Sequence, residues 1–180
     1  LDRIAPADSV ARADLADGFD RLGRKKRAVE VLSQLRLARG KASGLDLAMK
    51  LAVLLSSVGE EDRALELWHE LWRQTTSVPR RRYVEDRLMT VAARLGKLAR
   101  IAIDLERKLV AGEADALDAG LLVRIYIRVK DPVSASEIID EHMSRSGVQA
   151  ADVLQEKARV FLSCDDYFNY EKTVHELIEA

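Results

Sequence analysis

Little in this chain invites covalent or metal chemistry. It carries one cysteine, Cys164, so it can form no intramolecular disulfide and no cysteine-based zinc site. Three prolines, nine glycines and 5% aromatics argue against both an all-β fold and a disordered tract. No apolar run approaches the roughly 18 residues of a membrane span. Charge of one sign is also missing. The 29 Lys/Arg and 30 Asp/Glu leave a net charge of −1, so no overall field draws in nucleic acid or a membrane surface. The chain opens Leu1-Asp2-Arg3 without an initiator methionine. The expectation is a piece of a larger protein, with its compartment, cytoplasmic or periplasmic, left open.

What is present is a repeat. Gly23, Gly59, Gly96, Lys130 and Cys164 read as turn residues spaced 36, 37, 34 and 34 apart. Five positions after each stand Ala28, Ala64, Ile101, Ala135 and Asn169. Between these turns, apolar residues recur at three- and four-residue spacing, the period of a helix face. A period of this length filled with helical patterns predicts stacked helix pairs. Alternating strand patterns are absent throughout.

The first pair is predicted over about Ala7 to Leu22 and Arg24 to Arg39. In the second, Leu47, Leu51, Leu54 and Leu55 line one helix, and Ala64, Leu65, Trp68, Leu71 and Trp72 line the other. Glu60, Glu61 and Asp62 suit the positive end of that second helix. The third pair spans about Arg80 to Leu95 and Lys97 to Ala111, with Pro79 placed to begin a helix rather than continue one. Asp115 is the expected N-cap of the fourth pair, and Pro132 opens its second helix. The fifth covers about Ala150 to Ser163 and Asp165 to Glu179. Gly40 and Gly147 are expected to stop helices, Lys41 to Gly44 to form a turn, and Met143 to pack with Ile138 and Ile139. The repeats run approximately 7–40, 44–76, 79–112, 115–147 and 149–180, in one domain over 1–180.

This arrangement resembles the tetratricopeptide (TPR) repeat. The match falls on Leu51-Ala52, Leu55, Gly59, Ala64 and Trp68 in the second repeat, and on Leu15-Ala16, Phe19, Gly23, Ala28 and Leu32 in the first. Leu122, Tyr126, Ala135 and Ile139 carry it in the fourth. The third and fifth depart, with Leu88-Met89 and Glu156-Lys157 where Leu and a small residue stand in the family. The resemblance implies an all-α, right-handed αα-superhelix of about five antiparallel pairs. It also implies a non-catalytic scaffold that binds a peptide or protein segment on the concave face built by the first helices. The alternative it suggests is an assembly or regulatory module of a larger machine, such as bacterial envelope polysaccharide export.

By that analogy the partner-binding positions are Asp17, Asp20, Asp46, Met49, Val53, Tyr83, Asp86, Thr90, Arg124, Ile127 and Phe161, flanked by Ser56 and Gly120. They describe a face acidic toward one end and apolar toward the other. The expected partner is therefore a segment with a basic part and an apolar part. The Lys/Asn set with which some family members grip a terminal carboxylate is missing. No catalytic residue, metal ligand, cofactor or small-molecule substrate is expected. His69, in Trp68-His69-Glu70-Leu71-Trp72, lacks the second histidine that a zinc helix requires, and His142 and His175 read as solvated helix residues. Two basic clusters, Arg24-Lys25-Lys26-Arg27 and Arg80-Arg81-Arg82, put cations at the positive ends of helices, where they are locally unfavourable. Solvated charge is the simpler reading of both, and nucleic acid is not the expected partner. Residues 1–110 hold 22 Lys/Arg against 16 Asp/Glu, and residues 111–180 hold 7 against 14.

Overall fold

The computed structural model describes residues 8–39, 44–145 and 149–179. The expected stops at Gly40 and Gly147, the turn residues Lys41 to Ser43, and the packing of the Met143 side chain lie outside what it describes. Ten helices are present and, among the described residues, no strand. They are α1 (Asp8–Arg21), α2 (Lys25–Arg39), α3 (Leu45–Ser57), α4 (Glu61–Gln74), α5 (Val78–Arg94), α6 (Leu98–Ala111), α7 (Ala116–Arg128), α8 (Pro132–Arg145), α9 (Ala150–Ser163) and α10 (Tyr167–Glu179). The chain divides into two compact units, Leu1–Gly96 and Lys97–Ala180. The division falls inside the expected third pair.

The first unit holds the hairpins α1–α2 and α3–α4, followed by α5. Each helix packs on the next in sequence. Ala16, Ala28, Ala52 and Ala64 are fully buried, and their small side chains let neighbouring helices approach closely. Around them pack Leu32, Leu51, Leu55, Leu71, Leu88 and the two tryptophans, Trp68 and Trp72. Salt bridges also join alternate helices. Lys50 of α3 reaches Asp17 of α1, and Arg36 of α2 pairs with Glu70 of α4 at 2.5 Å. Arg80 of α5 lies 3.4 Å from Asp46 of α3. The corner between α4 and α5 is held by Arg81, whose Nε and Nη2 both donate to the Thr75 carbonyl, at 3.0 and 2.9 Å.

The second unit opens with α6, followed by the hairpins α7–α8 and α9–α10. Asp115 caps α7 as expected. Its carboxylate accepts from the Leu117 and Asp118 amides at 2.9 and 2.8 Å, while Asp118 reaches back to the Asp115 amide at 3.2 Å. This reciprocal pair satisfies amides that the helix itself cannot. Leu121, Leu122 and Ile125 of α7 are buried. A further cluster of Ala135, Ile139 and Val160 is covered by Val123, Tyr126, Ile127 and Val153.

The turns correct the repeat register at one place. Gly59 sits at φ 85° and Lys130 at φ 61°, each the left-handed residue that ends a first helix. In the fifth pair that position is Asp165, at φ 63°, and not Cys164. Hydrogen bonding agrees. The Lys130 amide reaches Ile127 and the Asp131 amide reaches Tyr126; one repeat on, Asp165 reaches Leu162 and Asp166 reaches Phe161. This pairing of amides with carbonyls three and five residues back is the Schellman ending. The position five residues on is then Tyr170, not Asn169, and both are half-buried.

Candidate functional site

On the first unit, α1, α3 and α5 are linked through their side chains, and the candidates Asp17, Asp20, Asp46, Met49, Val53, Tyr83, Asp86 and Thr90 all lie on these helices. Two of the four expected acidic positions, Asp17 and Asp46, carry basic partners within the face. Asp17 is engaged by Lys50, Asp46 by Arg80, and Asp86 has a partner of its own. What stays open is a depression between α3 and α5, floored by Trp68 of α4. It holds about 40 Å³ and is lined by Val53, Ser56, Trp68, Arg87, Thr90, Val91 and Arg94. Val53 is 39% exposed and nearby Tyr83 is 41% exposed.

The aromatic arrangement is specific. Tyr83 meets the buried Trp68 edge-on, with centroids 6.0 Å apart and planes at 76°. The Arg87 guanidinium lies 5.2 Å over the Tyr83 ring. Arg94 extends to Glu61 at 3.4 Å. Ser56 donates to the Ala52 carbonyl, and Thr90 already engages a neighbour. No carboxylate lines the depression. Its chemistry is that of guanidinium and hydroxyl groups around an apolar floor. The indole N–H groups of Trp68 and Trp72 are buried without an acceptor among the described residues.

Arg87 and Arg94 were missed in the sequence. The signal was there in the seven-residue spacing of Arg80, Arg87 and Arg94, which places all three on one side of a helix.

The remaining candidates, Arg124, Ile127 and Phe161, belong to the second unit. Arg124 is half-buried and has a partner. Ile127 is half-buried against the Ala135–Ile139–Val160 cluster. Phe161, expected on the open face, is only 7% exposed. Its helix α9 is packed by α8 on one side and α10 on the other, so Phe161 serves the core and offers a partner nothing. Cys164 is half-buried, with its Sγ 3.9 Å from the Ile127 carbonyl, and burial raises its thiol pKa. Among the described residues, no group of three or more His, Cys, Asp or Glu could hold a metal ion. Among the described residues, no helix is long and apolar enough to cross a membrane.

The basic turn Arg24 to Arg27 forms a broad, open depression of about 420 Å³ with Gly23, Ser57 and Val58. Arg27 is tied to Glu30 at 2.8 Å. The other three side chains stand exposed in solvent, without an aromatic or buried floor.

No protein-family model matches the chain, and no curated protein matches it. Several solved structures are similar. One is MamA, residues 41 to the end, from Desulfovibrio magneticus, at 15% identity over 96% of this chain and 94% of that one, TM-score 0.46. Another is a tetratricopeptide repeat protein from Parabacteroides merdae, at 12% identity over 97% and 66%, TM-score 0.47. A third is a putative kinesin light chain with TPR-like repeats from Podospora anserina, at 17% identity over 98% and 96%, TM-score 0.46. What this chain binds is read from its own residues.

Proposed function

We propose that the chain is a non-catalytic scaffold that docks a peptide or protein segment across α1, α3 and α5 of its first unit. The observation that supports this most is the depression between α3 and α5. Val53 stays exposed there above a buried tryptophan, and the exposed Tyr83 stands beside it with the lining Arg87 stacked on its ring. Tyrosine and arginine around an apolar floor are the side chains that carry binding energy at protein interfaces. The face is also partly prepared, since the Lys50–Asp17 salt bridge links α3 to α1 before any partner arrives. A partner then loses less freedom on docking. The non-catalytic part of the reading rests on the lining chemistry described above.

A peptide array probed with the whole chain tests this reading. Peptides that bind should lose most of their signal with Val53→Asp and with Tyr83→Ala, while circular dichroism of both variants stays that of the parent. Binding that survives both substitutions would place the docking surface elsewhere.

A further inference from the structure

The exposed edge of α5 carries a row that the core does not need. Arg80, Tyr83, Arg87, Thr90 and Arg94 follow one another at three- and four-residue steps beside the buried Val84, Leu88 and Ala92. Seven residues of helix rise about 10.5 Å and rotate almost two whole turns. The three guanidinium groups therefore leave the helix in nearly the same direction, about 10 Å apart. The outer two rest loosely on carboxylates of neighbouring helices, each at 3.4 Å. Charge-assisted hydrogen bonds are normally shorter, at about 2.7–2.9 Å. Arg87, in the middle, is exposed and makes no salt bridge among the described residues; its contact is the face of Tyr83. Each guanidinium is a flat fork of five donors that fits a carboxylate two bonds at a time.

We infer that this row receives an acidic segment whose side-chain carboxylates recur about every 10 Å. Arg87 grips the central carboxylate at the mouth of the depression, and an apolar residue beside it settles on Val53 and Tyr83. This rests on the reading of the α3–α5 face as a docking surface and adds the charge of what docks there. It reverses the sign expected from the aspartates alone, because Asp17 and Asp46 are occupied by Lys50 and Arg80 while Arg87 is not.

The test uses the whole chain and two synthetic peptides, both C-terminally amidated so that side chains supply the only carboxylates. One has Glu at every third position with Leu and Ser between; the other has Gln in place of each Glu. Anisotropy titrations should show the Glu peptide binding roughly tenfold or more tightly than the Gln peptide, as charged hydrogen bonds allow. Arg87→Glu should remove that advantage, and Arg87→Lys should reduce it by losing the fork. Arg24→Glu should leave it unchanged. Equal binding of the two peptides, or a Glu advantage that persists in Arg87→Glu, overturns the inference. So does a Glu advantage lost in Arg24→Glu but kept in Arg87→Glu, which assigns the acidic segment to the α1–α2 turn. If array peptides bind and are lost with Val53→Asp yet ignore Arg87→Glu, the docking face stands and the inference about charge falls alone.

Discussion

Among single residues, Trp68 ties packing to the candidate site. It is 1% exposed, floors the depression and braces Tyr83. Truncating it to alanine removes a large buried ring that its neighbours cannot fill. Trp68→Ala should cost about 3–5 kcal/mol in urea unfolding. Trp68→Phe should cost much less, because it also removes an indole N–H that lacks an acceptor. Equal losses for the two variants would mean that the ring's packing is not what stabilises this seam. The importance of Trp68 was legible from its place on an apolar stripe. That of Phe161 was misread for a related reason: periodicity shows which residues share a face, but not how many neighbours cover it. Asp165 was passed over because the left-handed turn position, glycine in the first three repeats and Lys130 in the fourth, falls one residue beyond the 34-residue spacing in the fifth.

Between elements, most helix boundaries were legible to within two residues, because caps and turns are local chemistry. Asp115 and Pro132 both stand where their side chains predicted. The bonds that cross from one helix to another were not legible, since they depend on register. The Tyr126 hydroxyl of α7, which donates to Glu106 of α6, is one of these. Burial first, and then that hydrogen bond, push the Tyr126 pKa well above the ordinary 10.0. The folded protein keeps this proton at a pH where the unfolded chain has released it. This contribution to stability is therefore complete below about pH 10 and is lost as pH rises above that value toward the folded pKa. Tyr126→Phe should flatten that decline. Denaturant midpoints compared between about pH 9 and pH 11 check it, and parallel decline in the two proteins would show that Tyr126 is not the group responsible. Lys130 is held protonated chiefly by its hydrogen bond to Asp165, so some alkaline slope should remain in the variant.

For the chain as a whole, the repeat period announced its helices but not where the two units divide. Gly96 looks like any other turn residue in the series, and nothing local distinguishes it from Gly59. The division predicts that each part is self-sufficient. Residues 1–96 and 97–180, expressed separately, should each give the far-UV circular dichroism of a helical protein, because each keeps its own sequential helix contacts. A fragment that is mostly unstructured would show that its helices depend on the other part.

The salt bridges of the first unit also bear on how such a chain can change by descent. Asp17 and Lys50 stand 33 residues apart, and Asp46 and Arg80 stand 34 apart. Each separation falls three residues short of the 36 and 37 between the turn glycines, so each bond joins places one helical turn out of step in successive repeats. Were the gene segment for α3 and α4 copied in tandem, Lys50 of the second copy would meet Val53 of the first, and the new seam would lack the bond that Asp17 now supplies. Its absence is a small loss at one exposed contact but one repeated at every added seam. Repeats that look alike in their apolar residues are thus not interchangeable in their charges, and lengthening this array by copying would require a carboxylate at position 53 as well.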